Sequence, residues 1–146
     1  MKKLLIAYDG SEASTKAIEM SLKCCSADDE IVVLTVIPAE LTQSSFTNML
    51  LPTIDLKSVV ESGSFKEKAM KKMSEITKQM EGKISKVETV VETGDPADEI
   101  LLASKKYDAD IIIVGYKGYG KEGRFLLGSV TDKVVRHASK SVLVVR

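Results

Sequence analysis

The chain has 146 residues, 44% of them hydrophobic and 29% charged, and its 21 basic and 21 acidic side chains cancel to a formal net charge of zero. That length suits one domain, since two would each be too small for a good core. The charge balance argues against a general nucleic-acid-binding surface, and no apolar stretch approaches the roughly 18 residues of a membrane span.

The first apolar run, Leu4 to Tyr8, stops at Asp9, well short of the apolar core of a signal peptide. Bounded by the turn signal Asp9-Gly10-Ser11, residues 3–8 read as a buried strand. A stretch without Gly or Pro from Glu12 to Cys25 predicts a helix, capped by Ser11 or Asp9. It ends on the two cysteines of the chain, Cys24 and Cys25, which as immediate neighbours make a poor structural disulfide. A reducing, cytoplasmic setting is the expectation, with one thiol packed inward as a small apolar group. Residues 31–37, IVVLTVI, form a second apolar, β-branched strand that Pro38 stops.

Residues 38–63 contain Pro38, Pro52, Gly63 and several Ser and Thr, which break any period. So long a loop is unusual in a small domain, and some helix is expected within it around residues 56–62. From Ser64 to Glu81, Ala69, Met73, Ile76 and Met80 recur at helical spacing, an apolar stripe for packing on a sheet. Residues 86–94 read as a third strand. Asp95 then stands as a helix N-cap, with Pro96 at the first helical position, Asp98 and Glu99 in the first turn, and Lys105 and Lys106 in the last. Residues 110–115 form a short apolar fourth strand. A last helix over 129–140 carries Val130, Val134 and Ala138 on one stripe, and 141–146 is a fifth strand. Apolar strands alternating with helices imply an α/β fold: a single-domain, open, doubly wound parallel sheet of about five strands with helices on both faces. In such sheets ligands sit beyond the carboxyl ends of the strands, where the strand order reverses.

Five of the nine glycines fall within GYKGYGKEGRFLLGSV, residues 115–130, which fits three glycine motifs. Gly115-x4-Gly120-Lys121 is close to a phosphate-binding P-loop, but Glu122 occupies the position that needs Ser or Thr for magnesium, and its charge repels phosphate. Gly118-x-Gly120-x2-Gly123 has the spacing of a dinucleotide fingerprint, yet the acidic residue expected about 20 positions later would fall in the apolar last strand. Gly115-x2-Gly118-x9-Gly128-Ser129 agrees with its surroundings. Gly115 closes a strand, Gly118 permits a tight turn with inward amides, and Gly128-Ser129 opens a helix. There the amides of Ser129 and Val130 carry the positive end of the helix dipole and suit an anion.

From LLIAYDGS through VVLTVIP and GDPADEILLASKKYDADIIIVG to this glycine stretch, the chain resembles the universal stress protein family along its whole length, residues 1–146. The glycine stretch matches the pattern G-x2-G-x9-G-[ST] of the family's ATP-binding branch at every fixed position. The resemblance implies strand order 3-2-1-4-5 and an adenine nucleotide ligand: ATP, or ADP or AMP, with Mg2+ bridging the phosphates. It implies that Asp9 contacts the ribose, that the Val36 backbone meets adenine, and that Gly115, Gly118, Gly128, Ser129 and Val130 line the ribose and phosphates. It also implies a homodimer that pairs the edge strand 141–146, which would otherwise be an exposed apolar edge. Tyr116, Tyr119 and Lys121 depart from the family's commoner choices. Lys117, Lys121 and Arg124 are a basic loop or phosphate contacts, and Tyr116 and Tyr119 are surface anchors rather than base-stacking groups.

With His137 as the only histidine, no transition-metal site and no serine–histidine–acid set stands out. No general base for an attacking water can be named, so the function expected is that of a stress-response regulator working by nucleotide binding, with at most slow hydrolysis. The alternative is a nucleotide-free homodimeric adaptor for other proteins.

Overall fold

The computed structural model describes residues 1–39, 62–118 and 127–146. Its elements are β1 (Lys3–Ala7), α1 (Glu12–Cys24), β2 (Glu30–Pro38), α2 (Ser62–Met80), β3 (Lys86–Gly94), α3 (Pro96–Lys106), β4 (Ile111–Gly115), α4 (Ser129–His137) and β5 (Ser141–Val145). The strands form one sheet in the order β3-β2-β1-β4-β5, and every neighbouring pair is parallel. The helix expected around residues 56–62 falls almost wholly outside the described residues.

The central strands are apolar throughout because both faces are covered. Leu4 and Ile6 of β1, Ile31 and Val33 of β2 and Ile113 of β4 pack with Ala17 and Ile18 of α1 and Met73, Ile76 and Met80 of α2. Leu5, Val32, Leu34, Ile112 and Val114 point the other way, onto Ala97, Ile100 and Ala103 of α3 and Val134 of α4. Each large side chain among them contributes about 1.5–3 kcal/mol on full burial. The methionine stripe of α2 is therefore core: Met73 and Met80 are almost fully buried.

Local chemistry sets the helix ends. Ser11 caps α1, its hydroxyl oxygen accepting from the Ser14 amide at 3.2 Å, while Asp9 ties the turn before it by accepting from the Ser11 amide at 2.8 Å. Cys25 leaves the helix in an extended conformation and is partly buried against the core, whereas Cys24 is exposed. Asp95 caps α3 by accepting from the Asp98 amide at 3.0 Å, with Pro96 at its start. The last helix is shorter than its periodicity suggests. Ala138 is already extended, its amide bonded to Val134, and it packs on the core from the cap position.

Side-chain locks close the amino-terminal end of the sheet. Asp29, 2% exposed, accepts from the main-chain amides of Lys2 at 2.7 Å and Ser26 at 2.9 Å. Lys2 Nζ lies 3.5 Å from the same carboxylate. These amide hydrogen bonds, those from Ser26 and Lys2, hold the Asp29 carboxyl below its ordinary pKa. Asp110 likewise accepts from the Lys3 amide at 2.8 Å.

Candidate functional site

At the carboxyl end the order reverses between β1 and β4: from β1 the chain crosses to β2, and it later returns on the other side as β4. The loops after these two strands border a cleft of about 540 Å3, within the usual size of a small-molecule pocket. Its floor is apolar, made by Ala7, Leu34, Val36, Ile100 and Val114, and its rim is polar. All seven residues singled out in the sequence line it: Asp9, Val36, Gly115, Gly118, Gly128, Ser129 and Val130.

The rim is tied to the sheet by short bonds. The Tyr116 amide donates to Val145 O at 2.8 Å, extending the β4–β5 pairing by one residue. Tyr116 O accepts from the Gly128 amide at 2.8 Å, and Gly115 O accepts from the Thr131 hydroxyl at 2.7 Å. The start of α4 is thus held against the end of β4. With Gly128 at the N-cap, this helix has no capping hydrogen bond from the side chain of its cap residue, and its first-turn amides and dipole make an electropositive wall.

The glycines act differently from one another. A Cβ at Gly118 would stand 2.6 Å from Asp9 Oδ2, so the missing side chain is what lets the two loops close on each other. The tight turn expected at Gly118 is not a left-handed one; close approach is its reason. A Cβ at Gly115 would meet Ala13 C and Cβ at 2.8 Å and Ser14 N at 3.0 Å. Gly115 borders the cleft, but its bare α-carbon serves the packing of α1 on β4.

Asp9 and Lys117 are the only charged side chains among the described residues of the lining. Lys117 Nζ lies 5.2 Å from the centre of the Tyr116 ring, and Arg146 lies 5.5 Å from the same ring. Tyr116 is thus an anchor for cations beside the cleft and is not among its lining residues. Close by, a hydrogen bond from Lys16 holds the Glu12 carboxyl below its ordinary pKa, and Lys117 adds a smaller pull in the same direction. Tyr119, Lys121 and Arg124 lie outside the described residues.

Sequence reasoning misses Thr131, whose hydroxyl fastens α4, and Pro96 and Ile100 of α3, which wall the cleft from below. The position of Thr131, in the first turn after the Gly-Ser pair, is the available signal. A second groove of about 470 Å3 between α2 and β3 is lined by Met70, Met73, Thr77 and Val91 among others, with neither a glycine turn nor a helix amino end among its described residues. No group of three His, Cys, Asp or Glu side chains that could hold a metal ion occurs among the described residues. His137 ends α4 beside Arg136, where the helix dipole favours cations. No described helix is long and apolar enough to cross a membrane.

An open parallel sheet with a glycine-bordered cleft and a helix amino end at its switch point defines a doubly wound α/β protein, the class in which ligands sit at that point. The model of the Universal stress protein family matches residues 1–146, and the chain belongs to that family. It is 31% identical over 153 residues to the universal stress protein MJ0577 of Methanocaldococcus jannaschii, covering 99% of this chain and 94% of that protein. With YxiE of Bacillus subtilis it shares 30% over 146 residues, covering 99% and 98%. A solved structure of MJ0577 superposes with a TM-score of 0.81 at 32% identity, again over 99% and 94% of the two chains. An Arabidopsis thaliana family member solved with AMP bound shares the fold, with a TM-score of 0.65, 19% identity, and coverage of 99% and 91%. The strand order 3-2-1-4-5 expected from the family is the one observed.

Proposed function

We propose that this protein binds an adenine nucleotide, ATP or else ADP or AMP, in the switch-point cleft, and that it acts in a stress response through occupancy of that cleft rather than through turnover. The observation that carries this reading is the convergence of Asp9, Val36, Gly118 and the Gly128-Ser129-Val130 helix start on one cleft, with Gly118 pressed against Asp9. The apolar floor beside Val36 suits a base, and main-chain groups there would read its edge. Asp9, an acceptor, suits ribose hydroxyls. The amino end of α4 suits phosphates, each charge-assisted hydrogen bond contributing about 1.5–3 kcal/mol. The Arabidopsis relative solved with AMP bound supports the choice of ligand class. The cleft fits the group: a side chain at Gly118 would intrude on Asp9, and none is present. Mg2+ would be carried by the phosphates, since Asp9 is the only carboxylate among the described lining residues.

Calorimetry with ATP, ADP, AMP and cyclic AMP, with and without Mg2+, tests this. Binding with turnover no faster than background is expected. The absence of any nucleotide heat would favour the adaptor reading instead.

The proposal includes a homodimer through residues 141–146 in the cytoplasm. Strand β5 is an edge of the sheet, and Leu143 on it is exposed, the kind of apolar edge that invites pairing. Sedimentation is expected to give a dimer that Leu143→Lys weakens; a wild-type monomer would remove this part of the proposal.

A further inference from the structure

We infer that Lys117 makes the cleft prefer polyphosphates to a monophosphate. The inference rests on the nucleotide assignment above and names the discriminating side chain within it. Among the described lining residues Asp9 and Lys117 are the two charged side chains, one acidic and one basic. Lys117 follows Tyr116, whose carbonyl accepts from the Gly128 amide, so its main chain is fastened directly beside the start of α4. On its other side, Gly118 is pressed on Asp9. The residue is therefore rooted between the hydroxyl-accepting acid and the anion-attracting helix end.

Among the described residues, no ion pair holds Lys117 to a carboxylate. Its ammonium lies over the Tyr116 ring, shared with Arg146, and Glu12 acts on it only at longer range. A cation resting on an aromatic face at a half-exposed site gives up about 0.5–1 kcal/mol when it leaves. A phosphate oxygen replaces that contact with a stronger, charge-assisted one. One phosphate is met by the first-turn amides of α4. A second and third add negative charge beyond the reach of those amides, and a flexible four-carbon ammonium is suited to follow them. Asp9 repels a phosphate placed beside it, whereas Lys117 attracts one.

The test is calorimetry with AMP, ADP and ATP in Mg2+-free buffer at low ionic strength, on wild type, Lys117→Gln and Lys117→Arg, each checked for folding by circular dichroism. Lys117→Gln is expected to weaken ATP about tenfold and AMP by less than about twofold, with ADP between them. Lys117→Arg keeps the charge and is expected to keep most of the ATP preference. An equal loss for AMP and ATP, or no loss for either, overturns the inference while leaving nucleotide binding intact. A wild-type protein that binds none of the three overturns the nucleotide assignment itself and this inference with it.

Discussion

At the amino-terminal end of the strands, Asp29 and Asp110 accept hydrogen bonds from the Lys2, Ser26 and Lys3 main chain, and Glu30 lies between Lys3 and Lys86 at 3.3 and 3.5 Å. At the carboxyl-terminal end the same sheet finishes in Gly115, Gly118 and a helix whose N-cap is glycine. The amino-terminal end uses carboxylates to tie strand to strand; at the carboxyl-terminal end Ser11 and Asp95 cap α1 and α3, but α4 has no side-chain cap from its own cap residue and two glycines stand where strand, loop and helix meet. A side-chain acceptor at the start of α4 would compete there with an anionic ligand. The difference teaches that a doubly wound sheet can keep stability and recognition on opposite rims, and that substitutions at the two rims should have separable effects.

The largest separable effect is expected at Asp29. Asp29→Asn removes a buried carboxylate that accepts two main-chain hydrogen bonds and is expected to lower the thermal midpoint by several degrees without changing nucleotide affinity. Because the folded carboxyl titrates below its ordinary value, its contribution is fully present above about pH 3.9 and is lost as pH falls through the lowered folded value. Acid unfolding followed by circular dichroism should therefore be less steep in the Asp29→Asn variant than in wild type. A variant that bound nucleotide more weakly, with stability unchanged, would break the division between the rims.

Two of the cleft glycines sharpen it. Gly115→Ala drives a methyl into the main chain of α1, which cannot yield locally, and is expected to cost about 1–3 kcal/mol in chemical denaturation. Among the described residues, Gly118→Ala meets only the far end of the Asp9 side chain. The protein should keep its fold while the acid is displaced, with nucleotide affinity falling about tenfold by calorimetry. Equal losses of stability in both variants would show that Gly118 too is a packing residue. The smallest effect is at Asp95: removing the α3 cap by Asp95→Ala should cost about 1 kcal/mol. Measured by urea unfolding, it should leave binding unchanged.

Most of the framework was legible because local rules and tertiary demands agree in it. The Asp95-Pro96 start of α3, the methionine stripe of α2 and the apolar strands β1, β2, β4 and β5 each announce themselves within a few residues. The choice between Ser11 and Asp9 as the α1 cap was not legible, since both are good acceptors at the right distance; the fold gives Ser11 the helix and Asp9 the turn before it. Glycine spacing located the cleft but not the division of labour within it. Whether a bare α-carbon faces a ligand, a helix or a distant carboxylate depends on partners such as Ala13 and Asp9, far away along the chain. Asp29 was missed for the same reason: beside Asp28 and Glu30 it reads as one of a solvated acidic run, and only the pairing of β1 with β2 brings the Lys2 amide to it.

The contact between Gly118 and Asp9 joins a loop near the front of the chain to one near its end. Peeling the β4–α4–β5 part away from the rest would break that contact along with the β1–β4 pairing, and split the cleft into two incomplete halves. Any molecule gripping both loops would act as a rivet across this seam, so its concentration would govern how often the late-sequence half detaches. Protease resistance of that half would then report occupancy without any need for the bound molecule to be chemically changed.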